Sequence, residues 1–280
     1  LIGANELALN LQTPGWRIVD CRFDLADTQR GERDYAAAHI PGARYAHLDR
    51  DLSGPITPSS GRHPLPPPER LCAWLGEHAI APAEQVVAYD DSGGTMAVRL
   101  WWLLRWFGYQ NVALLDGGWQ AWTDAACPTT ASVPPKPVPT RPDCRPDPAL
   151  VVDTATLATA VEQDRAMPVL MDARSAERFR GESEPIDPVA GHIPGAVNVP
   201  LADNLDSNGR FKAPEVLRQR YLAVLGDTPP ETVIAMCGSG VTACHNLLAM
   251  AIAGLPLGRL YAGSWSEWIR DPARPVATGN

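Results

Sequence analysis

No Cys-x-x-Cys pair occurs among the six cysteines, at positions 21, 72, 127, 144, 237 and 244, which removes the usual structural-zinc and thioredoxin-like dithiol readings. No apolar run reaches the roughly 18 residues that a membrane-spanning helix needs, so no membrane span is expected. No basic stretch followed by an apolar core opens the chain, so no secretory signal is expected either. Without an export signal, the expectation is six reduced thiols and a cytoplasmic protein. A positive charge balance is also lacking: the formal net charge is -8. An acidic chain repels phosphate backbones at long range, which excludes nucleic acid as a partner. A small anionic substrate stays open, because a few local arginines override the balance at short range.

What the chain has in quantity is itself, twice. Ile18-Val-Asp-Cys-Arg22 is matched by Leu170-Met-Asp-Ala-Arg174, and His39-Ile-Pro-Gly-Ala by His192-Ile-Pro-Gly-Ala. The apolar runs Val86–Tyr89 and Val233–Met236 follow, then Asp116-Gly-Gly-Trp119-Gln-Ala-Trp122 and Ala262-Gly-Ser-Trp265-Ser-Glu-Trp268. The same features in the same order indicate two homologous domains. Residues 126–149 hold eight prolines and few large apolar residues, so they read as an extended, semi-rigid linker. The expected division is 1–125, linker 126–149 and 150–280.

Short apolar runs at 17–20, 86–89, 112–115, 168–172, 232–236 and 259–261 are bounded by Gly, Pro and Asp, as buried parallel strands are. Helical periodicity lies between them: apolar residues at 71, 74, 75 and 79, and at 217, 221, 222 and 225. Helices over 95–107 and 241–253 are expected to stop at Gly108 and Gly254. Alternating strands and helices predict an α/β fold, with a mainly parallel sheet flanked by helices in each half. The nine tryptophans read as packing residues.

The richest segment is Met236-Cys237-Gly238-Ser239-Gly240-Val241-Thr242. A strand ends at Met236 and a helix opens beyond, so Cys237 sits where open α/β sheets place their ligands. Two glycines let the backbone turn its amides inward. Such a nest favours a thiolate or a persulfide anion. Cysteine phosphatases use a similar strand, Cys-x5-Arg loop and helix, with the arginine clamping phosphate; here that position is Ala243.

This loop resembles that of mercaptopyruvate sulfurtransferases, and the tandem halves, the His-Ile-Pro-Gly segments and the Gly-Ser-Trp turn resemble the rhodanese superfamily over essentially the whole chain. Thiosulfate sulfurtransferases carry basic residues where Gly238 and Ser239 stand. The resemblance implies a catalytic second domain, with Cys237 as nucleophile and Gly238, Gly240, Val241 and Thr242 around the substrate. It implies an inactive first domain, and Asp90 indeed stands opposite Cys237 when the halves are aligned.

Arg174 and Arg178 share one face if their segment is helical. Alone, they read better as surface or ion-paired arginines; the resemblance makes them substrate-binding. A further arginine that mercaptopyruvate enzymes carry before the histidine motif is missing from Ser183-Glu-Pro-Ile-Asp-Pro188. The family also places a Ser–His–Asp arrangement at the site. Ser239 supplies the first member, His39 matches the second, and Asp27 is nearest by spacing for the third, with Glu32 as the alternative. His39 has a second reading as a turn-fixing histidine, since His192 occupies the same place in the other repeat.

The expected chemistry is double displacement: a small anionic donor, mercaptopyruvate or else thiosulfate, leaves sulfur on Cys237. A thiol such as reduced thioredoxin, or cyanide, then takes it. No metal or organic cofactor is called for. A cysteine phosphatase and a non-catalytic sulfur carrier are the competing classes.

Overall fold

The computed structural model describes residues 1–163 and 168–279. The chain divides into two compact units. The first comprises Leu1–Gly54, Leu65–Asp147 and Ser207–Arg210; the second comprises Pro55–Pro64, Pro148–Asp206 and Phe211–Asn280. Each unit therefore takes most of one sequence half plus a short piece of the other.

The first unit holds strands β1 (Trp16–Asp20), β2 (Arg44–Tyr45), β3 (Gln85–Tyr89) and β4 (Val112–Leu114), with helices α1 (Ala4–Asn10), α2 (Arg30–Ala37), α3 (Pro68–Glu77), α4 (Ala97–Trp106) and α5 (Gly118–Asp124). The second holds β5 (Leu170–Asp172), β6 (Ala196–Asn198), β7 (Ile234–Met236) and β8 (Arg259–Leu260), with α6 (Thr154–Glu162), α7 (Ala176–Arg180), α8 (Pro214–Leu225), α9 (Ala243–Ile252) and α10 (Ser264–Trp268). The sheets have the same order, β2-β1-β3-β4 and β6-β5-β7-β8. All pairings are parallel: Ile18 sits opposite Val87 in one sheet, and Met171 opposite Ala235 in the other. Both faces of each sheet are covered, which is why β3 and β7 read as continuous apolar runs rather than alternating ones.

The two cores are built alike. Ile18, Val87, Tyr89 and Trp122 pack in the first; Leu170, Ile234, Tyr261, Trp265 and Trp268 pack in the second. Helices α4 and α9 stop as expected, with Gly108 and Gly254 in the left-handed region at φ +81° and +69°. They start two residues later than their periodicity predicts. The preceding residues are committed to loops whose backbone amides turn inward.

Residues 127–147 of the expected linker are extended as their prolines demand and are fastened to the first unit, whereas Pro148–Leu150 is a short 3-10 helix of the second. Thr130 and His39 exchange backbone hydrogen bonds of 2.9 and 2.8 Å, Thr140 N–H donates to Gly76 O at 2.9 Å, and Asp147 N–H donates to Trp106 O at 2.8 Å. Gly76 is the contact that permits this, since a Cβ there would stand 2.5 Å from Thr140 O. Cys72 lies one turn earlier on the same face of α3, and Cys144 follows Thr140, so the two sulfurs meet. Cys72 and Cys144 form a disulfide across 72 residues, with Cα atoms 5.8 Å apart. This corrects the expectation of six reduced thiols. The spacing rules see neighbouring cysteines, whereas this pair is made by a distant segment lying across a side-chain-free position.

Closing a loop of that length restricts the unfolded chain, so reduction, or Cys144→Ser, should lower stability by about 3–4 kcal/mol. Thermal unfolding with and without dithiol reductant measures it; identical midpoints would show that the bond contributes nothing.

Candidate active site

Cys237 begins where β7 ends. Its backbone is held from three sides: its N–H donates to Ser264 Oγ at 3.0 Å, its carbonyl accepts from Trp265 N at 3.0 Å, and Gly238 O accepts from Ser266 N at 2.9 Å. The chain then turns back, and Gly240 N–H points at Cys237 Sγ from 3.1 Å. Gly240 reaches that position with φ +78°, and a Cβ on it would come 2.2 Å from Ala262 O, so no other residue fits the turn. Val241 and Thr242 complete it before α9 starts at Ala243. Cys237 is 1% exposed.

The rest of the site comes from an unexpected place. Pro55–Pro64 belongs to the second unit, and His63 Nδ1 lies 2.8 Å from Ser239 Oγ. Gly61 brings the segment close, since a Cβ there would stand 2.6 Å from Gly263 O. Arg62 N–H donates to Ser266 Oγ at 3.1 Å, and Arg270 Nε to Ser60 O at 3.1 Å. The Arg62 guanidinium then comes within 2.9 Å of the point where a Gly238 Cβ would stand, and that of Arg178 within 3.4 Å. Two guanidinium groups thus flank the loop beside the nucleophile.

Both are held by carboxylates. Arg62 pairs with Asp187, and Arg178 with Glu184 at 2.7 Å and Asp187 at 3.2 Å. Burial pushes the Asp187 carboxyl above the ordinary carboxylate range, and neighbouring Glu184 adds to this against the pull of Arg62 and Arg178. Burial acts on Glu184 in the same direction, but hydrogen bonds from Arg178 and from the Asp187 and Ile186 amides outweigh it, so its carboxyl lies below the ordinary range.

Three expected assignments are corrected. Arg174 is structural. It precedes α7, so it shares no helix face with Arg178. It is buried, with Nε and NH2 on the Asp172 carboxylate at 3.0 and 2.5 Å, and it also donates to Gly191 O at 2.8 Å. It stacks over Trp265 at 4.8 Å. Arg22 does the same in the first unit, pairing with Asp20 at 2.6 Å over Trp119 at 4.4 Å. The repeated Asp-x-Arg is therefore a folding element. His39 is likewise structural: its buried Nδ1 donates to Tyr35 O at 2.7 Å and its ring stacks on Tyr35. His192 repeats this on Phe179, 2.8 Å from its carbonyl. Asp27 is exposed and paired with Arg33 at 2.5 Å, while Glu32 pairs with Arg50 at 3.6 Å; neither serves His39.

Arg62 and His63 escaped the sequence reading, though a signal was present. Ser59-Ser-Gly-Arg-His63 has a counterpart in Ser207-Asn-Gly-Arg-Phe211. The repeat keeps Ser-x-Gly-Arg and replaces the histidine by phenylalanine, as it replaces Cys237 by Asp90.

The first unit shows what the loop does to an anion. Asp90 Oδ1 accepts from Ser92 N and Gly94 N at 2.9 and 2.8 Å, and Oδ2 accepts from Met96 N and Ala97 N, both at 2.8 Å. Four amides on one carboxylate make an anion nest that is filled by its own chain.

The rhodanese-like domain family model matches residues 3–125 and 153–271. A protein of Pseudomonas aeruginosa named probable 3-mercaptopyruvate sulfurtransferase is 50% identical, over 100% of this chain and 98% of its own. The human 3-mercaptopyruvate sulfurtransferase is 37% identical, over 98% and 93%. Among solved structures, the 3-mercaptopyruvate sulfurtransferase of Leishmania major superposes with a TM-score of 0.83 at 32% identity, covering 95% of this chain and 73% of that one.

Removing one partner of a buried ion pair leaves the other unpaired, so Arg174→Ala should destabilise the protein by about 3–5 kcal/mol, measured by denaturant unfolding. Retained stability would return Arg174 to the list of ligand-binding candidates.

Proposed function

This chain belongs to the rhodanese-like domain family through both of its halves, and on that premise we propose that it is a sulfurtransferase working through a persulfide on Cys237, with 3-mercaptopyruvate as donor. The observation that carries the reading is the convergence of an amide-lined cysteine, a Ser239–His63 hydrogen bond and two arginines on one loop. The catalytic domain is then 150–280, completed by residues 55–64. The inactive one is 1–125, its nest closed by Asp90.

Arg62 and Arg178 hold the donor carboxylate; Arg62 takes the part of the arginine missing from 183–188. Cys237 thiolate attacks the donor sulfur. The carbon–sulfur bond breaks, and its electron pair passes into the enolate of pyruvate. Ser239, oriented by His63, hydrogen-bonds the developing enolate oxygen, where charge stabilisation counts most. The loop amides hold the persulfide until a thiol takes its outer sulfur and returns Cys237 as thiolate. Reduced thioredoxin is a fitting acceptor. A cytoplasmic location belongs to the same proposal, with Cys72–Cys144 a bond that a reducing compartment would open.

A neutral, oriented serine favours a carbonyl-bearing donor over thiosulfate, whose charge alone needs matching. Sulfur transfer to cyanide with the two donors in parallel decides this. A larger kcat/KM for mercaptopyruvate is expected, and Cys237→Ser should abolish both activities; a larger value for thiosulfate would reassign the donor, and turnover by Cys237→Ser would end the mechanism. Arg62→Ala should raise the mercaptopyruvate KM about tenfold with kcat within about twofold, and an unchanged KM would remove Arg62 from the clamp.

Asp187 sets a pH dependence. Its folded carboxyl lies above the ordinary value, so its stabilising contribution is present at low pH and is lost as pH rises through that raised value. Protonation also releases Arg62 and leaves Arg178 to Glu184 alone. Pyruvate, a non-transferable carboxylate, should therefore bind more tightly as pH falls through the Asp187 transition, and Asp187→Asn should flatten the profile. A profile identical in Asp187→Asn would rule out the competition.

A further inference from the structure

We propose that Ser264 is the positioning residue that holds the Cys237 loop in its reactive shape, an inference that rests on the sulfur-transfer reading above. Ser264 has φ +53°, one of three non-glycine residues in the left-handed region among those described. A residue with a Cβ is disfavoured there and persists only where its surroundings over-determine it. The matching turn of the first unit, Asp116-Gly117-Gly118-Trp119, uses Gly118 with φ +56°. There a Cβ would stand 2.2 Å from Asp90 O.

The two loops are held by different means. In the first unit the loop is drawn together from within, by four amide hydrogen bonds to the Asp90 carboxylate. Cysteine has one sulfur in place of two oxygens and cannot gather those amides. In the second unit the loop is held from beneath. The buried Ser264 hydroxyl accepts from Cys237 N at 3.0 Å and donates to Tyr261 O at 2.9 Å. This fixes the peptide plane that enters Cys237, hence the direction of its Cα–Cβ bond, and it keeps Sγ opposite Gly240 N. A serine in a glycine's conformation stands at the turn that carries the nucleophile, and a glycine stands at the turn that does not.

Ser264→Gly separates positioning from folding, because glycine accepts the backbone conformation without strain while removing the hydroxyl. In single-turnover persulfide formation its rate should fall about tenfold, the size of one lost hydrogen bond to the reacting residue. Donor KM should stay within about twofold, and the unfolding temperature should match wild type. The pH profile of iodoacetamide alkylation at Cys237 should move alkaline. Ser264→Ala should lose the same rate and also some stability. A wild-type rate in Ser264→Gly overturns the proposal, as does activity that follows unfolding temperature across the two variants. If wild type forms no persulfide, the sulfur-transfer reading fails instead. The alkylation profile then still decides on Ser264, which stands if the profile shifts and falls if it does not.

Discussion

Backbone amides turned toward one point must find negative charge there, and both halves of this protein are organised around that requirement. In each, a strand ends, the chain folds back through glycine, and the following helix starts late; in the first unit its opening amides, Met96 N and Ala97 N, are spent on the loop. In the first unit the charge is the Asp90 carboxylate, which takes four hydrogen bonds and closes the nest. In the second it is the sulfur of Cys237, facing Gly240 N–H. The residue at the head of the loop, Asp90 or Cys237, therefore separates a self-satisfied structural turn from a turn able to carry a transferable anion, in loops that also differ by one residue in length. The glycines, the late helix starts and the Gly-Ser-Trp turn beneath the loop all follow from keeping those amides convergent.

The cationic half of the site depends on an exchange of short segments between sequence halves. Residues 55–64 complete the second unit and 207–210 the first. Both carry Gly-Arg, and only the first carries histidine after it. Arg62, Arg178, Asp187 and Glu184 form a compact set in which carboxylates hold two guanidinium groups beside the loop. An anionic donor has to compete with those carboxylates, so the charge of the clamp is matched before substrate arrives rather than left buried and unpaired.

Repetition explains both what was legible and what misled. The duplicated strands, the glycine stops and the strand-loop-helix around Cys237 are local patterns, set by side-chain period and by the conformations glycine alone adopts. They were readable in the chain, and so was the α/β fold. The duplicated histidine and the Asp-x-Arg pair were also readable as sequence, but their meaning was not. His39 and His192 satisfy the same carbonyl geometry on Tyr35 and Phe179, and Arg22 and Arg174 neutralise equivalent buried aspartates. The histidine and Asp-x-Arg repeats serve the fold, while the site adds the residues that differ, Cys237 and His63, to a Gly-Arg that both halves keep.

The amino-acid sequence by itself determined the two-fold repeat, the alternating architecture and the nucleophile with its glycine-lined loop, because each of these is written within a few neighbouring residues. Tertiary structure alone decided which histidine meets Ser239, which arginines flank Gly238 and which cysteines pair. His63 and Ser239 are 176 residues apart, and Cys72 and Cys144 are 72 apart. No local periodicity encodes such distances. They are set by close backbone approaches at Gly61 and Gly76, where the missing side chain leaves room for a remote segment to lie.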